Sequence, residues 1–387
     1  MSSSPSPFPI ERSNSATTEG AGQRVDEGKG RIFPCERCGA DLEFHIGAQS
    51  LKCPFCGYVK DLSIDEDSAV EEQDFGDMLA MLAEKRKEGA SENVETEEVR
   101  CSSCAANVTF TGTLTSSECA YCGSPIQREN VHRAKHRVPV DGVLPFQVNR
   151  SRAKENLRAW TTSRWFAPNE FLKRGVEGRF NGVYTPFWTY DTLTANVYHG
   201  QRGERYWVTV GTGDRKRRER RTRWYPAHGS FQRFFDDVLV CAARGLPKKL
   251  VRKLEPWPLH ECLPFNQESL AGFLAETYDT SLKEGFAEAK ARIDEAIHQE
   301  VRRRIGGDEQ RVLSLSTRCD AITYKHLLLP AWLLTYRYNE KPYRVIVNAA
   351  SGEVQGERPY SWVKITLAVL AGVAAASGLW LLVQHFG

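Results

Sequence analysis

Eight of the eleven cysteines fall into two copies of one pattern, and they are the residues best suited to chemistry. The first quartet is Cys35, Cys38, Cys53 and Cys56, and the second is Cys101, Cys104, Cys119 and Cys122. In each quartet fourteen residues separate two CxxC pairs, and the two copies start 66 residues apart. Matching neighbours, such as Phe44 and Phe110, extend the likeness beyond cysteine. The pattern is therefore a duplicated module.

Four thiolates delivered by two CxxC turns suit the tetrahedral coordination of zinc. The separation of fourteen residues lies just below the recognised zinc spacing of 15 to 20. Two alternatives are disulfides, which need an oxidising compartment, and a thioredoxin-like redox pair, which usually occurs singly within a βαβ pattern. The first thirty residues lack the apolar stretch of a signal peptide. We predict two structural Zn²⁺ ions, one per quartet, with no ligand position left open for catalysis.

Length and composition indicate two or three domains, because 387 residues with 41% hydrophobic content can build a substantial core. The predicted order is a disordered tail (1–30), zinc ribbon 1 (31–60), an acidic linker (61–99), zinc ribbon 2 (100–128), an α+β cytoplasmic domain (138–360) and a transmembrane helix (363–384). The predicted fold class is α+β, with two small zinc ribbons, a mixed antiparallel sheet with helices, and the C-terminal transmembrane helix. The remaining cysteines, Cys241, Cys262 and Cys319, are expected to be buried thiols.

Three further segments carry helix predictions. In the linker at 61–99, helical spacing of four apolar residues predicts a short amphipathic helix: Phe75, Met78, Leu79 and Leu82. Because the linker holds fourteen Asp and Glu against three Lys and Arg, we expect a solvated spacer rather than a specific docking helix. A helix is predicted at 268–278. A longer one is predicted from Ser281, which forms a capping box with Glu284, to the glycines that begin at Gly306. Its apolar residues keep to one face, which predicts core packing.

Residues 365–383 contain no charge, and at about 1.5 Å per residue they match the roughly 30 Å hydrocarbon core of a bilayer. Arg358 and Lys364 precede this segment, and no Lys or Arg follows it. The positive-inside rule then predicts a single-pass inner-membrane protein whose large N-terminal part lies in the cytoplasm. Small residues from Gly372 to Gly378 would let two such helices approach closely, so a homo-oligomer is a further hypothesis.

Known catalytic motifs are missing from the sequence. It contains no GxxxxGK[ST], HExxH or GxSxG, and we predict no catalytic residue. The remaining functional feature is a basic run formed by Arg215, Lys216, Arg217, Arg218, Arg220, Arg221 and Arg223. Three interpretations stay open for this run: a solvated hairpin tip, a contact with anionic lipid headgroups, or nucleic-acid binding with Trp207, Trp224 and Tyr225 stacking on bases.

Three stretches carry a family resemblance: 182–188 (Gly-Val-Tyr-Thr-Pro-Phe-Trp), 263–278 and 329–359. With them, the chain from about 30 to 385 resembles a bacterial family of tail-anchored zinc-ribbon membrane proteins. Its members are often labelled as having a zinc ribbon like that of transcription factor IIB, or as primosomal protein N′ (replication factor Y), superfamily II helicase-like. The resemblance implies zinc ligation by the cysteines above. Since some relatives are encoded beside stomatin, prohibitin or flotillin-type and phage-shock proteins, it also implies a role in membrane organisation or envelope stress.

We do not predict the helicase activity that the family label suggests, because the sequence has no nucleotide-binding motif. Our first hypothesis is a non-catalytic, zinc-binding, membrane-anchored scaffold or adaptor, with membrane lipids and other membrane-associated proteins as partners. The alternative is a membrane-tethered nucleic-acid-binding protein. A third hypothesis is an enzyme whose site is assembled in space within 138–360.

Overall fold

Three long antiparallel strands form the centre of the computed structural model: β11 (Arg179–Val210), β12 (Arg217–Phe235) and β16 (Glu309–Tyr338). β11 lies in the middle and pairs with β12 on one edge and with β16 on the other. Aromatic and β-branched residues, which favour extended backbone, are frequent in all three. The ladder between β11 and β16 shifts register near Leu193 and again near Gly200, and such bulges bend and twist long strands.

The structure describes residues 33–46, 48, 50–62, 69–87, 97–101, 106–110, 116–119, 125–127, 131–133, 137–164, 179–213, 216–338 and 341–386. The other strands are β1 (Glu43–His45), β2 (Ser50–Lys52), β3 (Val59–Asp61), β4 (Gln73–Asp74), β5 (Glu97–Arg100), β6 (Asn107–Phe110), β7 (Ser116–Glu118), β8 (Pro125–Gln127), β9 (Val131–Arg133), β10 (Gly142–Val143), β13 (Val240–Cys241), β14 (Leu263–Pro264), β15 (Leu274–Ala275), β17 (Lys341–Asn348) and β18 (Val354–Gly356). The helices are α1 (Phe75–Lys87), α2 (Arg150–Thr162), α3 (Lys248–Arg252), α4 (Leu282–Ile305) and α5 (Trp362–Phe386), with 3₁₀ turns at Leu259–Glu261 and Gln267–Leu270.

One large sheet of ten strands contains the three long strands, and smaller sheets accompany it. β1, β2 and β3 form one small sheet, β6, β5 and β9 form another, and β7 pairs with β8. Pairing in the large sheet is mostly antiparallel, but β10 with β16 and β11 with β15 are parallel. The combination of this sheet with separate helices agrees with the predicted α+β character.

The part of the sheet formed by 179–191 of β11 and 323–335 of β16, here called the proximal half, is buried on both faces. Phe187 and Leu329 belong to one apolar cluster, whereas Tyr184 and Trp332 belong to another on the opposite face. A strand covered on both faces needs apolar residues at every position, not at alternate ones. This explains the nearly unbroken apolar run at 327–334.

The remaining part, formed by 192–210 of β11, by β12, and by 309–320 of β16, is here called the distal half. The long helix α4 covers one of its faces as far as Gly200, which lies beside Ile305 at the end of the helix, and packs against Tyr198, Phe231 and Phe235. Beyond Gly200 this face is also open to water, and Tyr206 and Tyr225 are exposed on it. The predicted helix is confirmed, including its capping box, in which the N–H of Ser281 donates to Glu284 Oε2 at 2.9 Å. The opposite face of the distal half has no helix upon it among the described residues.

The acidic linker contains a packed helix, not the solvated spacer that we expected. In α1, the Phe75 ring lies 4.9 Å from the Phe286 ring and 6.1 Å from the Tyr190 ring. Met78, Leu79 and Leu82 contact the same cluster. The helical spacing of four apolar residues therefore outweighs the acidity of the surrounding segment, because their burial removes apolar surface from water.

The helix predicted at 268–278 is wrong. The chain makes a 3₁₀ turn and then pairs as β15 with β11, Leu274 lying beside Val183. Between the two, Gly272 has a φ of +80°, which a helix does not allow. Tertiary pairing has overridden the local helix preference here.

A transmembrane helix needs about 20 consecutive, predominantly apolar residues. Within the described part of the chain, no helix combines the length and the apolar character that crossing a membrane requires. On this finding the transmembrane helix predicted at 363–384 is wrong, although 362–386 is helical as α5. The predicted single-pass, inner-membrane location, with its cytoplasmic N-terminal part, is corrected with it.

Candidate metal centre

The two CxxC turns of the first quartet share one backbone geometry. The N–H of Gly39 donates to the Cys35 carbonyl at 2.8 Å, and the N–H of Gly57 donates to the Cys53 carbonyl at 3.0 Å. Both glycines adopt a left-handed backbone conformation, with φ values of +73° and +72°. A side chain at either position would be strained, which is why each turn ends in glycine.

The four sulfurs of this quartet converge on one point. The Sγ atoms of Cys35 and Cys56 are 3.6 Å apart, and those of Cys38 and Cys53 are 3.5 Å apart. All four lie within 4.8 Å of one another. A disulfide would bring two sulfurs to about 2.05 Å, whereas a tetrahedron with metal–sulfur distances of about 2.3 Å places them roughly 3.8 Å apart. These four cysteines are free thiols that could hold a metal ion.

Electrostatics at Cys53 favour the thiolate that a metal requires. Burial raises its pKa, but hydrogen bonds from the backbone of Cys56 and Phe55 and from neighbouring thiols outweigh burial and lower the pKa. The pKa of Cys38 moves the other way: a backbone hydrogen bond with Ala40 lowers it, but hydrogen bonds with the thiols of Cys56 and Cys53 raise it overall. Backbone N–H groups aimed at a sulfur stabilise its negative charge. The turn that positions this ligand therefore also prepares its ionisation.

The first ribbon is packed into the large sheet. Leu42, Phe44 and Leu51 are buried in the same cluster as Trp332. The Phe44 ring lies 6.4 Å from the Phe273 ring, and Lys60 forms a salt bridge of 3.0 Å with Glu268. The metal centre is thus joined to the core of the proximal half by residues more than 200 positions away in the sequence.

The second quartet lies only partly within the described residues. Cys101 and Cys119 are buried free thiols, whereas Cys104 and Cys122 fall outside the described residues. The N–H of Cys101 donates to the Ala106 carbonyl at 2.9 Å, which repeats the bond from Cys35 to Ala40 at 2.6 Å. Cys101 and Cys119 pack with Phe187 and Leu329, on the face of the sheet opposite the first ribbon. The second metal site stays a prediction.

The basic run lies at the far end of the distal half. Arg215 falls outside the described residues, and Lys216 precedes β12. Arg217, Arg218, Arg220, Arg221 and Arg223 follow along β12, where alternate side chains point to opposite faces. The structure therefore divides the run between two surfaces, which the sequence did not indicate.

Sequence reasoning missed a buried charge cluster where the two halves meet. Asp191 is 1% exposed, and burial raises its pKa to about 6. Its carboxylate lies within 4.8 Å of those of Glu72 and Asp236, but the Lys325 ammonium is 3.5 Å from Glu72 and 3.0 Å from Asp237. An internal cation thus already neutralises part of this cluster. The one signal in the sequence was a charged residue at the end of the aromatic-rich stretch 182–191, which the structure places in the interior of β11.

The leftover cysteines agree with the expectation of buried thiols at two positions. Cys241 and Cys262 are buried, and burial raises the pKa of each to about 12. Cys319 is partly exposed. A raised pKa keeps a thiol protonated and unreactive at neutral pH.

No family model and no solved structure matches the chain. Among curated proteins, "Uncharacterized protein YdjG" of Bacillus subtilis (strain 168) is 26% identical over 250 residues. The match covers 61% of this chain and 68% of YdjG. This level of similarity does not by itself show a family, so membership of a zinc-ribbon family stays a prediction.

Proposed function

We propose that this protein is a non-catalytic, zinc-binding scaffold or adaptor. The observation that carries the proposal is the cluster of four thiols at Cys35, Cys38, Cys53 and Cys56, built on a ribbon that shares the core of the sheet. Four protein ligands complete a tetrahedron and leave no position for water or substrate. The role of such a metal is to hold the ribbon in its folded form.

Zinc is the ion that fits this donor set best. Tetrahedral sites of four sulfurs select zinc or iron–sulfur chemistry, and two short CxxC turns are the usual frame of a structural zinc. We extend the proposal to the second quartet, because its first turn repeats the bond that Cys35 makes with Ala40.

The metal assignment is tested by elemental analysis of the purified full-length chain. We expect about two zinc per chain and no iron. Cys53→Ser and Cys119→Ser should each remove about one zinc, because each deletes one ligand from one quartet. Zinc below one per chain in the unmodified protein, or iron in its place, would contradict the assignment.

The scaffold role is tested by affinity purification of the full chain with and without nuclease. Protein partners that survive digestion, and that are lost with Cys53→Ser, would support a scaffold whose binding surface needs the folded ribbon. Partners that disappear on digestion would contradict it, since nucleic acid would then be the bridge.

A further inference from the structure

The distal half leaves one sheet face to water, and this open face combines aromatic and basic side chains. It consists of the residues that point away from α4. Val197 is 49% exposed there, and Phe234 is 59% exposed. Further along the same face, Trp207 lies directly across from Arg220, and Thr209 lies across from Arg218. Alternation along the strands places these side chains together.

Two tryptophans are displayed on this face in different ways. Trp207 is 61% exposed, with most of its ring in solvent. Trp224 lies across from Gly203 on the neighbouring strand, and its indole ring occupies the space that the missing glycine side chain leaves free. A Cβ atom at position 203 would come within 3.0 Å of the indole. The guanidinium of Arg311 stacks on the Trp224 ring at 3.8 Å. The ring is therefore held in a fixed orientation on the same face as Trp207, four residues further along the strands.

Charge on the open face is predominantly positive. Glu309 is already bound by Arg205 Nε at 2.9 Å and by the Thr222 hydroxyl at 3.3 Å. Arg218 and Arg220 form no salt bridge with any carboxylate in the described part of the chain. On the other face, by contrast, Arg221 is 3.7 Å from Glu219. Phosphate groups would complement the two arginines of the open face.

We propose that the open face binds single-stranded nucleic acid, with Arg218 and Arg220 contacting phosphates and Trp207 stacking on a base. Exposed indole rings beside arginines suit the flat faces of unpaired bases. A duplex keeps its bases stacked inside, and a lipid headgroup offers phosphate without an aromatic face. The inference is independent of the metal centre and of the proposed scaffold function.

The test is fluorescence anisotropy of labelled single-stranded DNA and RNA oligonucleotides with the full chain over a series of salt concentrations. We expect Arg218→Glu combined with Arg220→Glu to weaken binding roughly tenfold or more and to lower the salt slope by about one for each phosphate contact removed. Trp207→Ala should weaken binding roughly tenfold through lost stacking.

Matched controls come from the same strands. Arg217→Glu with Arg221→Glu makes the same charge change on the opposite face, which beyond the end of α4 is also exposed and carries Tyr206 and Tyr225. Tyr206→Ala removes the aromatic residue next to Trp207. Both should change affinity by less than about threefold, since they leave the open face intact. Circular dichroism of each variant checks that it folds like the unmodified protein.

Three results would overturn the proposal. One is equal loss of binding for variants of both faces, which would indicate unspecific attraction to positive charge. The second is duplex binding as tight as single-strand binding and unaffected by Trp207→Ala. The third is binding to phosphatidylglycerol vesicles, lost with Arg218→Glu and Arg220→Glu, in the absence of oligonucleotide binding.

Discussion

The same strands build two regions with different surroundings. In the proximal half, the first ribbon, α1 and the start of α4 cover one face, and residues of the second quartet together with the segment 239–262 cover the other. In the distal half, α4 covers one face as far as Gly200, and the other face meets water. The consequence is visible in composition: the proximal run at 327–334 is apolar at successive positions, whereas β12 alternates and carries its arginines in the distal half.

This difference separates two tasks within one sheet. A sheet covered on both faces has little surface left for a ligand, but it provides a rigid platform for the first ribbon, whose four thiols could hold a metal ion. A sheet covered on one face keeps a flat surface that can be charged and aromatic without a burial penalty. The proposed metal site therefore lies against the proximal half, and the proposed recognition surface lies in the distal half.

The largest expected effect is loss of the first metal site. Cys53→Ser removes a buried ligand, and structural zinc contributes roughly 10–16 kcal/mol of apparent binding free energy in small zinc-finger peptides. We expect loss of one zinc and unfolding of the first ribbon, measured by elemental analysis and thermal unfolding. Cys319→Ser, in the distal half, is the matched control and should keep both zinc content and melting temperature. A similar loss for both variants would end the distinction between the two halves.

A second comparison substitutes one large aromatic residue in each half. Trp332 is 5% exposed, stacks on Phe180 at 5.3 Å and donates its indole N–H to the Val148 carbonyl at 2.7 Å. Trp332→Ala should lower the free energy of unfolding by about 3–5 kcal/mol. Phe234→Ala, on the open face, should change it by less than about 0.5 kcal/mol. Denaturant titration measures both, and a large cost for Phe234 would show that the open face is covered in solution.

Buried ionisable groups sharpen the contrast through pH. Burial lowers the pKa of His326 from 6.5 to about 4, and its Nδ1–H donates to the Pro139 carbonyl at 2.8 Å. As pH falls, the histidine of the unfolded chain binds a proton before the buried His326 of the folded protein does. The free energy of unfolding therefore decreases as pH falls from about 6.5 to 4, and the loss between pH 7 and pH 5 is about 2 kcal/mol. We expect His326→Gln to remove that loss, measured as the difference between the pH–stability curves of the two proteins.

Asp191 should change the free energy of unfolding with pH in the direction opposite to His326. Burial raises its pKa from 3.8 to about 6, so the folded protein takes up this proton before the unfolded chain does. Its contribution to stability is therefore unfavourable above about pH 6 and improves as pH falls towards 4. Asp191→Asn should flatten that part of the curve. Both variants keep the cysteines, so any acid release of metal contributes equally to the variant and to the unmodified protein and cancels when their pH–stability curves are subtracted. If the two difference curves changed with pH in the same direction, the assigned pKa shifts would be contradicted.

Local signals in the sequence predicted the parts of the molecule that form from neighbouring residues. The two CxxC turns of the first quartet need only a glycine with positive φ after each pair, and α4 needs only the box between Ser281 and Glu284 and an apolar stripe. Local signals could not predict how the first ribbon packs against the sheet or how β15 pairs with β11. Phe44 meets Phe273 across more than 200 residues, and the segment 268–278 gives up its helical preference to pair with β11.

The division of the basic run was also beyond the sequence. Its seven Lys and Arg residues occur together in the chain, but only strand register shows that Arg218 and Arg220 share a face with Trp207. Register is set by pairing with β11 and by bulges in the neighbouring ladder, which depend on the whole sheet. The residue types of a site can thus be predicted from the sequence, whereas the sheet face on which each side chain lies cannot.

The smallest expected effect tests whether α4, which reaches from Tyr190 at the edge of the proximal half along the covered face of the distal half, opens independently of the ribbons. Ser281 caps this helix: its hydroxyl oxygen accepts the N–H of Glu284 at 3.3 Å, and the Glu284 carboxylate accepts the N–H of Ser281. Ser281→Ala should cost about 1 kcal/mol in unfolding free energy, whereas Ser281→Asp, which keeps a capping oxygen, should cost much less. Hydrogen exchange should show the added opening at the start of α4 and next to Tyr190, whose hydroxyl donates to the Leu282 carbonyl at 2.6 Å. If the opening spread instead to the Cys35 and Cys53 turns, the two halves would be a single cooperative unit and the separation of tasks would have no energetic basis.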